Sequence, residues 1–114
     1  MNATPDLVAT EVLRTKVGVM THLAPRTSLD VESEISALAA AAGECLQQGD
    51  IHLVIDLGSV QVLNSAALEM IASTQDRAIR NGGWVKLAQA SAIIRDILRL
   101  TAFTRYVSLM DTET

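Results

Sequence analysis

Residues 51 to 57, Ile-His-Leu-Val-Ile-Asp-Leu, are apolar on both of the faces that a strand presents, so neither face suits water. Such a run belongs in the middle of a sheet, with helices covering it on each side. The residues that follow set the fold class. From Ser65 onward, Leu68, Ile71, Ala72, Gln75, Ala78 and Ile79 recur at helical spacing until Asn81, Gly82 and Gly83 end the pattern, and Trp84 to Ala88 is strand-like again. Strand, long helix and strand form a crossover, which makes the two strands parallel.

The flanking segments extend this pattern. Val17 to Ala24 reads as a strand, preceded by a weaker one at 8 to 14, with Lys16 and Gly18 near the turn between them. Val31, Ile35, Leu38, Ala42, Cys45 and Leu46 trace a helix over about 31 to 48. Asp30 can cap it, Glu32 and Glu34 suit its first turn, and Gly49 lies just past its end. The second helix spans about 65 to 81, and Ser91 can cap a third at about 91 to 101 with Ile93, Ile94, Ile97, Leu98 and Thr101 on its inner face. Arg105 to Met110 supplies a last strand. The expectation is one α/β domain over residues 1–114, with its core at about 8–110 and a mixed, mainly parallel sheet flanked by helices. In such sheets a site tends to lie at the carboxyl ends of the strands.

Composition removes several function classes. At 49% hydrophobic residues the chain buries a real core, and a net charge of −4 with nine scattered Lys and Arg gives no clustered positive surface for nucleic acid. The first residues carry Asp6 and Glu11 where a signal peptide needs a basic start, and no run approaches a membrane span, so a soluble, cytoplasmic protein is expected. A single Cys45 forms no internal disulfide and falls on the apolar stripe of the first helix, where packing is its role. With only His22 and His52 beside it there is no spaced ligand set, hence no metal and no cofactor. No Gly-rich phosphate loop or catalytic His or Cys constellation is present, which ranks a small enzyme using Asp30 or Asp56 as a base last. Asp56 reads as a hydrogen-bonded turn residue, Trp84 as packing over the sheet, and Arg95 and Arg99 as a solvated basic face.

Asn64 and Ser65 are small and polar where the chain passes from an apolar stretch into the second helix. Both are ordinary helix caps, Ser65 is expected to cap the second helix with its side chain near the surface, and a hydroxyl at the positive end of a helix is also a place for a kinase or partner to act.

His52 to Ile71, followed by Asn81 to Phe103, resembles the STAS domain, the module named for sulfate transporters and anti-sigma factor antagonists. That family carries Asp-Ser-Ser/Thr-Gly-Leu at the start of its second helix, and Asn64, Ser65, Ala66, Ala67 and Leu68 take those five places. Gly82 and Gly83 match its Gly-Gly, Ser91 its serine before the third helix, and Thr101, Ala102 and Phe103 its Thr/Ser-Gly-Leu. Thr27, Ser28, Leu29 and Asp30 stand for its Gly-Glu-Leu-Asp. The resemblance implies a freestanding regulator that binds an anti-sigma factor or serine kinase when Ser65 is free and releases it when Ser65 is phosphorylated, a PP2C-type phosphatase reversing the mark. It implies a partner surface of Asp30, Asn64, Ser65, Ala66 and Ala67. Three departures stand out: Asn64 removes the acid beside the acceptor, Ala66 the second hydroxyl, and Ala67 the glycine. The alternative they raise is a scaffold or constitutive binder in a multi-protein sensing complex, with no phosphate switch.

Overall fold

Gly18, at φ +61°, is the first central residue of a two-residue turn whose twist matches that of antiparallel strands. It joins β1 (Val12–Val17) to β2 (Met20–Pro25), with Val17 opposite Met20. The computed structural model describes residues 12–110. After this hairpin the chain runs through α1 (Glu32–Gln47), β3 (His52–Asp56), α2 (Ser65–Arg80), β4 (Trp84–Ala88), α3 (Ala92–Leu100), a 3-10 turn (Phe103–Arg105) and β5 (Ser108–Leu109). The sheet order is β1-β2-β3-β4-β5, antiparallel at the first pair and parallel at the other three. This is the mixed, mainly parallel α/β domain that the hydrophobic pattern implies.

Strands that advance in one direction through right-handed crossovers place all their helices on one face of the sheet. Burial follows that rule. Leu23, Leu53, Ile55, Val85 and Leu87 are at most 1% exposed and belong to one cluster with Leu38, Ala42, Ile71, Ala78, Ile94 and Leu98 from the helices. Val54 and Ala88 are also buried but stand outside that cluster, beside a hollow of about 230 Å³ whose walls include Met20, His22 and Met110. Residues 51 to 57 are expected to be covered by helices on both sides; the described helices α1, α2 and α3 pack on the face of Leu53 and Ile55. Among the described residues no helix lies over the face of Val54, and His52 and Asp56 on it stay half-exposed.

Several boundaries move for identifiable reasons. The hairpin turn falls at Gly18, so β1 extends to Val17 and β2 starts at Met20, three residues later than expected; positions 8 to 11 lie outside the described residues. Residue Val31, not Asp30, is the cap of α1, and no side chain caps that helix. Phe103–Arg105 forms a 3-10 turn because Ala102 adopts the left-handed region at φ 59°, which shortens the last strand to two residues. Ile93 is 68% and Ile79 55% exposed, so the buried stripes of α3 and α2 are narrower than the apolar pattern suggests. Thr101 is likewise exposed: it ends α3, and its hydroxyl donates back to the Ile97 carbonyl.

Cross-chain polar ties hold β1 to the end of α1. Arg14 donates to Glu44 and Gln48, and Lys16 to Asp50. That hydrogen bond from Lys16 is the main reason the Asp50 carboxyl titrates below its ordinary value, with the charges of Lys16 and Arg14 adding to it.

Three outcomes test this fold. A Cβ on Gly83 would lie 1.9 Å from the Ile51 carbonyl oxygen, so Gly83→Ala should lose about 3 kcal/mol of stability in urea unfolding. Ala102→Gly should gain about 1 kcal/mol, because glycine enters the left-handed region freely. Asp50 has a depressed folded pKa, so its contribution is present above the unfolded value and fades as pH falls through the folded one. Asp50→Asn should accordingly differ from wild type in thermal midpoint at neutral pH, and the two curves should converge in acid.

Candidate functional site

The loop after β2 and the loop before α2 are stitched together by backbone. Leu29 forms a lone parallel bridge with Leu63: its N–H donates to the Val62 carbonyl at 2.9 Å, and its carbonyl accepts from the Asn64 N–H at 3.2 Å. Both leucines are buried, at 1% and 5% exposure, so the bridge is anchored in the core. The Ser28 hydroxyl accepts from the N–H groups of Gln61 and Val62 at 3.1 and 3.0 Å, which fixes the approach to the helix. Residues 27 to 30 and 61 to 65, far apart in sequence, thus form one surface near the carboxyl ends of β2 and β3.

Asn64 sits at the corner with extended backbone (φ −101°, ψ 177°), as a helix cap requires. Its Oδ1 accepts from the Ala67 N–H at 2.9 Å, and its Nδ2 donates to the Asp30 carbonyl at 3.4 Å. The cap of α2 is therefore Asn64. Ser65, expected to cap the helix, instead occupies its first turn with the side chain exposed. The amide of Asn64 supplies the capping oxygen that an aspartate would offer, without the charge.

The remaining residues divide by exposure. Asp30 and Ala66 are exposed beside Asn64 and Ser65, whereas Ala67 is fully buried and belongs to the core cluster. Its methyl faces inward, where a glycine would leave space under the helix, so Ala67 supports the surface from beneath and does not join it. The first turn of α2 has no acidic residue, while Arg77 and Arg80 occupy the last. With no acid in its first turn, the positive end of the helix dipole favours an anion at Ser65. Glu69, one turn further on, is on the same side of the helix as Ser65.

A groove of about 600 Å³ opens directly beside Ser65, between the outer face of α2 and the turn after α3. Leu68, Ala72, Ile79, Phe103 and Tyr106 give it an apolar floor, and Glu69, Asp76 and Arg105 lie among its lining residues. Motif spacing does not show this feature. Its only trace in the sequence is Ile79 and Tyr106, apolar residues that end up 55% and 68% exposed.

Other candidates separate cleanly from this surface. Asp56 is a turn residue, its Oδ1 accepting from the Gly58 N–H at 2.8 Å, and its other oxygen lies 3.5 Å from His22 Nε2. No carboxylate lies near His22 in the sequence; the parallel pairing of β2 and β3 brings it to Asp56. Trp84 packs edge-on against His52 with Lys86 over its ring, on the face away from the helices. Cys45 is fully buried, and that burial raises its thiol pKa. Among the described residues, no group of three or more His, Cys, Asp and Glu side chains is placed to hold a metal ion, and no helix is long and apolar enough to cross a membrane.

A family model described as the STAS domain matches residues 14–114. No curated protein sequence matches the chain. Among solved structures, a proposed anti-sigma factor antagonist from Thermotoga maritima is similar at a TM-score of 0.81 and 22% identity, covering 90% of this chain and 87% of that one. An anti-sigma factor antagonist from Mycobacterium paratuberculosis gives 0.77 and 22%, covering 90% and 86%. The Bacillus cell fate determinant SpoIIAA in its phosphorylated form gives 0.68 and 12%, covering 90% and 93%. At these identities the likeness is one of fold.

The division of labour between Asn64 and Ser65 is measurable. Asn64→Ala should cost about 1 kcal/mol in urea unfolding by removing the cap, while Ser65→Ala should stay within about 0.5 kcal/mol of wild type. A larger loss at Ser65 than at Asn64 would contradict the assignment of the cap.

Proposed function

Because the chain belongs to the STAS domain family, we propose that it is a non-catalytic regulator of the anti-sigma factor antagonist type, binding a protein partner through the surface around Ser65 and released from it when Ser65 is phosphorylated. The observation that carries this is the position of Ser65: exposed, at the start of a helix whose cap is another residue, in a first turn free of acids. Phosphate there adds about −1.5 to −2 charges where the helix end tolerates an anion, so the fold persists. The same charge lies next to the groove and one turn from Glu69, so a partner seated there meets a new, unpaired anion. Burying a charge without a counter-ion costs several kcal/mol, and about 1.4 kcal/mol already weakens binding tenfold.

The partner of this reading is an anti-sigma factor that is also a serine kinase, with a PP2C-type phosphatase restoring the free serine. SpoIIAA, whose fold this chain shares, has been solved in both phosphorylated and unphosphorylated forms. Asp30, Asn64, Ser65 and Ala66 are the exposed contact residues, with Ala67 beneath them. One observation favours the second reading, a constitutive binder or scaffold. Both functional groups of Asn64 are occupied by the fold, so the motif presents no carboxylate for a kinase to recognise.

Capture from the native lysate by immobilised wild type, Ser65→Ala and Ser65→Asp separates the two readings. Switching predicts phosphate on Ser65 of protein recovered from cells, and a kinase retained by wild type and Ser65→Ala but lost, at least tenfold, by an equally stable Ser65→Asp. Equal retention by all three variants, with Ser65 unmodified, would establish the constitutive binder.

A further inference from the structure

Edge strands are ordinarily protected from pairing with other chains by charges, proline, bulges or a covering element. β1 is an edge of this sheet, and among the described residues nothing pairs with its outer side. Its sequence carries two cations, but both are engaged within the chain. Arg14 is held by Glu44, Gln48 and Asp50, and Lys16 by Asp50, over the end of α1. The opposite face of the strand presents Leu13, Thr15 and Val17, the two apolar residues being 52% and 55% exposed. These three pair with Ala24, His22 and Met20 of β2, so they continue the open face of the sheet, which carries no helix among the described residues. In a hairpin closed by a two-residue turn the closing pair, Val17 and Met20, is hydrogen-bonded; alternation along β1 then turns the backbone N–H and C=O groups of Val12, Arg14 and Lys16 outward.

We propose that this edge is a homodimerisation surface, on which β1 of a second copy adds antiparallel about a two-fold axis through Thr15, joining the two sheets. The register follows from the outward groups and the side chains. Arg14 and Lys16 of opposite copies exchange backbone hydrogen bonds, and Leu13 packs against Val17 of the second copy on the open face. Thr15 meets its own symmetry mate as a close, non-hydrogen-bonded pair, with Cβ atoms about 4.5–5.5 Å apart. On the helical face Arg14 is brought opposite Lys16 of the second copy, a like-charge pair, but each cation arrives with Asp50 already beside it. Asp50 touches both Arg14 and Lys16 in one chain. Across the dimer its carboxylate lies between Lys16 of its own chain and the incoming Arg14. The strand is self-complementary in this one register because the apolar residues stand two positions either side of Thr15.

The two-fold axis makes the test specific. A charge introduced at Thr15 faces an identical charge, so Thr15→Glu and Thr15→Lys should each sediment as monomers at concentrations where wild type is dimeric. An equimolar mixture of the two should regain the dimer, since Glu then faces Lys. Thr15→Cys should form a cross-linked dimer on mild oxidation, Cys45 being buried, while Ser33→Cys on the exposed side of α1 should not. Wild type that stays monomeric throughout, a Thr15→Glu protein that remains dimeric, a mixture no more associated than its components, or equal cross-linking at Ser33 would each overturn the proposal.

Discussion

The site rests on one short piece of backbone pairing, the bridge between Leu29 and Leu63. Without it the two loops that carry Asp30 and Ser65 would be joined only through the strands behind them. With it, the N–H and C=O of Leu29 are satisfied by Val62 and Asn64, and the side chains of both leucines are sealed in the core. Loops of this kind are ordinarily the mobile part of an α/β domain. Here a buried hydrophobic pair and two hydroxyl-accepted hydrogen bonds from Ser28 fix the entry into α2, so the geometry around Ser65 is set before any partner arrives. Pre-setting reduces the ordering that binding would otherwise require.

On the proposed reading, that rigidity lets a charge at Ser65 act without unfolding the domain. Asn64, whose backbone and side chain are both engaged, carries the structural duty at the start of α2. Ser65 is left free of that duty. A helix cap that was also a phosphate acceptor would change stability and recognition together; under that reading the two are divided between Asn64 and Ser65. The groove along α2 begins at Ser65, so the proposed phosphate would lie at the mouth of a much larger apolar surface.

Much of this was legible in the sequence, and what was not had physical causes. The doubly apolar run at 51 to 57, the helical stripe from Leu68 to Ala78 and the glycines at 82 and 83 specify strand, helix and stop, and all three stand as expected. Ser91 caps α3 as its position implied, donating nothing and accepting from the Ile94 N–H. Which face of the sheet the described helices cover is not encoded locally, because apolar residues at 53, 54 and 55 read alike. Asn64, one residue before Ser65, caps α2; Asn and Ser are equally good caps by type, and only the bridge to Leu29 decides between them. Asp30 failed as a cap for the same reason: its loop is committed to the α2 side of the site. The groove and the pairing of His22 with Asp56 arise from strand order, which no local pattern encodes.

On the proposed reading, phosphorylation of Ser65 changes the charge of a surface whose geometry is already fixed. The most direct measurement is an amide chemical-shift map comparing the free protein with protein carrying phosphoserine at position 65. The account predicts shifts confined to residues 28 to 31, the first two turns of α2 and the mouth of the groove, with the amides of Leu29 and Asn64 still hydrogen-bonded. Changes spreading through β3 and β4, or loss of protection at Leu29, would show that phosphate acts by remodelling the fold and would contradict it.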